Sequence, residues 1–468
     1  MNIRPTLLVT EPRVRASFLT ILQLWWWPTF VFLSPLLVTS VGQQDRNDLI
    51  VAKYILGLLA LIGGILLEWS YRTPSKNSPL YGLERPPLFN SRILPVVLFG
   101  VWAVLSSFWA PEPIFALLGV SFHLADASIW TLTITLCSWL IYLSCQRNPE
   151  LVRLICFAAA GAGAVLGGLA ALEVILGHAL YYPISRVDIP QVNFPQRGHL
   201  AGFLALCLGV ALASARWKYW PMVVCALLCA LGVGVSFNRA SVAAVAFAVI
   251  ICVFIQWRKF LLPGMLAFLC IGLGWWMGQT FNVQGTRELA TSQTVATRSY
   301  MWRAGLVGIG ERPLTGWGGN AFVNVWTDKI SFNDLKTYLK LEFGDTLIKR
   351  IPKTNILRVK RADGSPSQGA FIIWKSHNQF IEIALLYGLP GLALYLWILI
   401  SLLRRKFLSN PAAIGVITYH VFFMLWFAIP ESDGVLWALI GAGMAGLPST
   451  RAPETSTLEP SPPNLSST

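Results

Sequence analysis

Charge is scarce in this chain. Only 12% of its 468 residues are Asp, Glu, Lys or Arg, while 55% are hydrophobic and mean hydropathy reaches +0.59. So little charge excludes an ordinary soluble protein, which needs a solvated charged surface over a chain this long. The ten-residue alternation of a membrane β-barrel is missing too, and continuous apolar runs of about twenty residues stand in its place. The composition predicts an all-α polytopic membrane protein. Its 20 Trp and 28 Pro suit interfacial anchoring and helices that break or end sharply.

Histidine is rarer still, at five, and 22 acidic residues face 36 basic ones. The eight cysteines (Cys137, Cys145, Cys156, Cys207, Cys225, Cys229, Cys252 and Cys270) all fall in apolar segments. None lies in the one long polar stretch, 281–376, so that stretch is expected to be ordered by packing and not by an intrachain disulfide. Cys225 and Cys229 stand one helical turn apart with no further ligand nearby, which is a packing arrangement. A cleavable signal is not legible: the first apolar run, 18–41, is too long for a signal core and reads as a retained span. No internal repeat is visible. The Ser/Thr/Pro-rich tail, 448–468, reads as disordered.

Hydropathy predicts about twelve spans, near 18–41, 49–70, 93–110, 124–145, 151–177, 199–215, 219–237, 240–257, 260–279, 379–403, 412–430 and 433–447. His123 and Asp126 at the head of the fourth suggest an interfacial start. Basic residues then set the orientation. Arg4, Arg13 and Arg15, the group from Arg72 to Arg92, Arg147 with Arg153, Arg216 with Lys218, Arg258 with Lys259, and Arg404 to Lys406 fall on alternate connections. The positive-inside rule makes that side cytoplasmic and puts both termini there. The expected organisation is an N-terminal bundle (1–280), a large external loop with short amphipathic helices (281–376), C-terminal spans (377–447) and a cytoplasmic tail. The loop holds fourteen Lys/Arg against seven Asp/Glu. Long loops translocate largely regardless of charge, and a basic external loop attracts phosphate-bearing lipid or polysaccharide.

Three residues on the external side could carry chemistry. Arg239, in SFNRASV, stands between the seventh and eighth spans, where it either snorkels to head groups or binds a diphosphate with its planar fork. Arg298 opens a helix from Ala296 to about Gly310, with Met301, Leu306 and Ile309 toward the bilayer or core. Arg312-Pro313 ends that helix, and Gly316, Gly318 and Gly319 allow a tight turn. Arg303, five residues on, projects to a different face. His377 lies in Ser376-His377-Asn378-Gln379, which fits a capping box with Ser376 as N-cap and Gln379 at the third helical position. In that first turn the helix dipole would keep the imidazole neutral, fit to act as a general base beside a bound diphosphate. The plainer alternative is an interfacial histidine bonded to backbone.

Around these, Arg303, Trp302, Asn378, Arg197 and His199 are the expected substrate contacts. Asp45 and Asp48 are weaker candidates, placed where an external acidic metal site would sit. Glu173 and His420 lie deep in predicted spans, without outlining an ion pathway. Glu431 and Asp433 are expected to close the last external loop and pair with loop arginines.

These residues sit in motifs that resemble the O-antigen ligase and polymerase superfamily of bacterial membrane glycosyltransferases. The motifs are SFNRAS (236–241), TRSYMW followed by ERPLTGWGGNAF (297–322) and SHNQFIEIALLYGLPGL (376–392), within a resemblance covering roughly 195–430. The resemblance implies a metal-independent, cofactor-free inverting transferase that moves a glycan from undecaprenyl diphosphate to an acceptor hydroxyl at the outer face of the inner membrane. Arg239 and Arg298 match arginines implied to bind the diphosphate, and His377 the histidine implied to activate the acceptor. The implied partners are that lipid-linked donor, a lipid A–core, glycan or protein acceptor, and the bilayer, with no nucleic acid. Ligase, the leading expectation, is not separated from polymerase or protein glycosylation by these motifs.

The chain departs from a compact ligase loop over 328–375, a basic insert with Lys349, Arg350, Lys353, Arg358, Lys360 and Arg361, expected to cover the donor or choose the acceptor. A small-anion transporter is the rival from another class. It would show paired midplane charges and two matching halves, and neither is seen.

Overall fold

Away from water a backbone must satisfy its own donors and acceptors, and long apolar runs do so as helices. The computed structural model describes residues 18–37, 46–72, 87–88, 90–119, 127–180, 189–215, 220–281, 291–319, 321–351, 356–371, 373, 375–404 and 410–446. The bundle is built from α1 (Phe18–Leu33), α2 (Arg46–Arg72), α3 (Leu94–Ser107), the short α4 (Pro113–Leu118), α5 (Ser128–Arg147), α6 (Glu150–Leu176), α7 (Arg197–Ser214), α8 (Trp220–Val235) and α9 (Arg239–Thr280). The loop holds α10 (Thr291–Glu311), α11 (Phe322–Lys329), α12 (Phe332–Phe343) and three strands, β1 (Thr346–Arg350), β2 (Ile356–Lys360) and β3 (Pro366–Ala370). Then α13 (Gln379–Leu402), α14 (Pro411–Phe423) and α15 (Pro430–Ala445) return to the bundle.

Among the described residues, six helices are long and apolar enough to cross a membrane: Val51–Arg72, Ser128–Arg147, Glu150–Leu176, Arg197–Ser214, Phe260–Thr280 and Gln379–Leu402. Helix length and composition thus carry six crossings against the dozen expected; the other apolar helices are shorter. The expected spans 240–257 and 260–279 form one element. A straight helix of 42 residues would run about 63 Å, but α9 doubles back: Gly264 packs against Val249, and Phe237 lies edge-on to Trp275 at 4.8 Å. Exposure sorts the helices. α2 turns Leu58, Leu59, Ile62, Ile65 and Leu66 outward as a lipid-facing stripe, whereas α7 is buried all round at the centre. All eight cysteines are free and lie in helices, none in the loop.

The all-α expectation needs correcting in the loop. β1, β2 and β3 form an antiparallel sheet in that order, and Leu347 and Leu357 bury one face against Leu335, Tyr338 and Leu339 of α12. Glu431 and Asp433 are corrected too. They lie in the first turn of α15, buried in the bundle, where Glu431 meets Lys53 at 3.9 Å and Asp433 accepts from Trp130 Nε1 at 3.1 Å. The tail 448–468, His123, Asp126 and Asp45 lie outside the described residues.

The loop is locked to the bundle at a break in α13. Gly388 takes φ +70°, and Pro390 has no N–H to give, so the carbonyls of Leu385 and Leu386 lose their helical donors. The 313–318 turn supplies them: Trp317 N donates to Leu385 O and Gly318 N to Leu386 O, both at 2.9 Å, while Leu389 N donates to Pro313 O at 2.7 Å. Glycine is required on both sides, since a Cβ at Gly316 would lie 2.4 Å from Leu386 O and one at Gly388 2.3 Å from Leu314 O.

Candidate functional site

The segment before α13 is not the expected capping box. Asn378 is the N-cap, its Oδ1 accepting from Phe380 N at 3.0 Å and Ile381 N at 3.2 Å. Ser376 lies further back and donates its backbone N–H to Glu382 Oε2 at 2.8 Å. His377 is therefore outside the helix, in left-handed backbone at φ +54°. Two bonds stitch this segment to the link between α14 and α15: Asn378 Nδ2 donates to Met424 O at 3.0 Å, and Ala428 N donates to Gln379 Oε1 at 2.7 Å.

That link carries the residues the sequence reading missed. The apolar run 412–430 is not one span, because α14 stops at Phe423 and Trp426 and Phe427 stand in the gap. The indole of Trp426 is the wall around which the site is built. The Arg298 guanidinium lies over it at 4.8 Å, the His377 ring approaches edge-on at 5.5 Å, and its Nε1 donates to His199 Nδ1 at 2.9 Å. Phe427 closes the same wall, 5.0 Å from the His377 ring and 4.8 Å from the His199 ring.

These bonds fix the two histidines in opposite tautomers. His377 Nδ1 faces the Lys375 carbonyl at 3.1 Å, so Nδ1 carries the hydrogen and Nε2 a free lone pair. His199 Nδ1 accepts from the indole, so its Nε2 carries the hydrogen. Burial, and next the Arg298 charge, lower the His377 pKa from 6.5 to about 4. The imidazole is neutral as expected, with burial first and a neighbouring cation second as the causes. Burial also brings Arg298 down to about 10, against the pull of Glu342. Arg298 stays charged and, among the described residues, donates no hydrogen bond.

Three helix N-termini meet at this wall. α13 begins at Asn378. α7 begins with Arg197, whose Nη1 is buried and donates to nothing among the described residues. At Gly198 a Cβ would lie 2.6 Å from the Trp426 ring and 3.1 Å from Asn238 Nδ2. Asn238 caps α9 by accepting from Ser241 N at 2.9 Å, which puts the exposed Arg239 at the first position of that helix. Helix N-termini carry partial positive charge and orphan N–H groups, so the arrangement favours an anion.

Not every expected contact joins this group. Trp302 reaches the His377 carbonyl only at 3.5 Å. Arg303 turns the other way and pairs with Asp334 at 3.0 and 3.1 Å. Glu173 holds the backbone instead, accepting from Leu180, Gln191 and Val192, and His420 bonds Tyr395 at 2.7 Å. Lys375, absent from the expected site, lies behind it with Glu382 at 3.9 Å. It lines a cavity of about 50 Å³ together with Gln379 and Asp433.

Fold and site together describe a helical, multi-pass membrane protein with a cationic, histidine-bearing cluster beside a broken helix. Residues 224–343 match the family model for O-antigen ligase, and that match bears out the O-antigen ligase and polymerase superfamily read from the motifs. The matched segment contains Arg239 and Arg298 and ends before His377. No curated protein and no solved structure was found to match the chain.

Proposed function

We propose that the protein is an inverting glycosyltransferase of the bacterial inner membrane, acting as an O-antigen ligase. It would take a glycan from undecaprenyl diphosphate and pass it to a hydroxyl of the lipid A–core. In this reading about twelve helical segments cross the membrane, both termini are cytoplasmic, and the site faces the periplasm.

One observation carries the reading: Arg298 and His377 flank the same indole, one a charged fork that donates no hydrogen bond among the described residues, the other a neutral ring whose Nδ1 is engaged and whose Nε2 has no partner among them. The donor diphosphate would lie against Arg298, with Arg197, Arg239 and the converging N-termini around it. His377 Nε2 takes the proton of the acceptor hydroxyl as its oxygen attacks the anomeric carbon. The bond from that carbon to the diphosphate oxygen breaks, and the charge left on the leaving group is met by the arginines. Bound diphosphate also offsets the Arg298 charge and so strengthens His377 as a base.

Purified His377→Ala and Arg298→Ala proteins, shown to be folded and inserted, should lose transfer from a lipid-linked donor. Near-normal transfer by either would falsify the mechanism. A lipopolysaccharide gel of a deletion strain tests the ligase role. Loss of all O-antigen from the core supports a ligase, survival of single-repeat caps points to a polymerase, and unchanged lipopolysaccharide directs attention to protein glycosylation or exopolysaccharide.

A further inference from the structure

The outward face of the three-stranded sheet carries much of the loop's basic excess, and the transfer chemistry makes no use of it. The register puts Lys349 opposite Arg358, Arg358 opposite Gln368, and Lys360 between Thr346 and Pro366. All of these are exposed. Like charges directly opposite on a ladder destabilise it, so the Lys349–Arg358 pair is costly unless something anionic lies across it. Among the described residues, Lys349, Arg358, Lys360 and the neighbouring Arg361 form no ion pair; Arg358 donates to Gln368 Oε1 and Arg361 to Ser367 Oγ. Arg350 differs, because the fold uses it: its Nη atoms donate to the carbonyls of Ile330 at 3.0 Å and Asp328 at 3.2 Å. The nearby carboxylates are engaged as well, Asp345 with Ala362 N and Asp363 with Ser365 N.

The sheet is also close to the transfer site. β3 ends at Ala370, and seven residues further along the chain stands His377, a reach of at most about 25 Å. From the other side α12, on which the sheet packs, carries Glu342, whose charge acts on Arg298.

We propose that this face docks an acidic glycan, a hydrated sugar polymer bearing carboxylate or phosphate, as the chain runs toward His377. The proposal rests on the glycosyltransferase reading above and adds the substrate class. A lipid surface fits the face less well, since Thr346, Pro366 and Gln368 fill it out and no aromatic anchor stands among them. The one exposed large aliphatic of the strands, Ile348, sits in the bulge between Leu347 and Lys349.

The test uses the full-length protein in nanodiscs of zwitterionic lipid, with polygalacturonate as the probe and dextran as its neutral counterpart. The protein should bind polygalacturonate and not dextran. The triple variant K349Q/R358Q/K360Q should bind about tenfold more weakly, while K349R/K360R retains binding. K336Q/K340Q, which removes two exposed cations of α12 in the same loop, should leave it unchanged. His377→Ala should bind normally while failing in transfer, which separates docking from the reaction. Equal binding by the triple variant and the parent would overturn the proposal and leave the transferase reading to its own assay. Preference for phosphatidylglycerol vesicles over polygalacturonate would overturn it in favour of a lipid surface.

Discussion

The guanidinium of Arg298 lies over the indole of Trp426, 4.8 Å from its centre, and the same indole donates its N–H to His199 Nδ1. An arginine stacked on an aromatic ring keeps its in-plane donors available while its position is fixed. Phosphate oxygens need that combination from a cation already in place.

The wall can be tested by shortening it. Trp426→Phe keeps an aromatic face for Arg298 but loses the N–H to His199, and transfer efficiency should fall about tenfold. Trp426→Leu removes both contacts and should fall further. Steady-state kcat/KM on a lipid-linked donor reads the effect, and a Leu variant within twofold of the parent would remove Trp426 from the site.

The pH behaviour follows from the neutral His377. Its folded pKa, about 4, lies below the ordinary 6.5. As pH falls from 6.5 to 4 the unfolded chain therefore takes up the proton first, and stability drops across that window; above 6.5 this group contributes no slope. In activity, the acid limb of kcat/KM should fall near pH 4, and that of kcat at higher pH, where bound diphosphate raises the histidine. Arg298→Gln removes a charge that lowers the pKa and should move the His377 titration upward, read by NMR of labelled histidine. A wild-type titration at 6.5 contradicts the burial on which this rests.

Asn378 performs two tasks that substitution can separate. Asn378→Ala removes the cap of α13 and should cost about 1 kcal/mol, seen as a lower unfolding temperature in detergent. Asn378→Asp keeps the capping oxygen but loses the donor to Met424 O. It should hold the unfolding temperature while transfer falls, because the tie between the His377 and Trp426 segments is cut. If Asp transfers normally, that tie is unimportant.

Arg303→Ala should matter little. Its side chain is 61% exposed and paired with Asp334, and such pairs contribute about 0–1 kcal/mol. Transfer within about threefold of the parent is the expected result, against the loss in Arg298→Ala, so the pair of variants measures which face of α10 meets substrate. A large loss in Arg303→Ala would reassign that face.

Much of this was legible because apolar runs this long have few folds open to them, and because Arg298 and His377 stand in motifs with recognisable spacing. The cap was misplaced for a physical reason: Ser and Asn are nearly equal N-caps, and Ser376-x-x-Gln379 obscured Asn378. Trp426 was hidden because 412–430 is continuously apolar, and hydropathy does not see a break. A signal was nevertheless present. Pro430 followed by Glu431 and Asp433 marks a new helix start, and the residue before a proline is pushed to extended backbone. The sheet escaped notice because its strands are five residues each and only β2, ILRVK, shows any alternation of apolar with basic positions, while β3, PSQGA, carries no apolar pattern at all.

The turn at 313–318, hydrogen-bonded into the break of α13, divides the loop into two mechanical parts. α10, which carries Arg298, is anchored to the bundle through Trp317 and Gly318, and His377 is held from inside by Glu382 and Asn378. The stretch between these anchors, α11 through β3, packs its small core onto Met301 and Ala304 of α10 and Leu385 of α13. Its outer face, the exposed side of the sheet, is therefore free to take other side chains while the two anchors hold the distance from arginine to histidine.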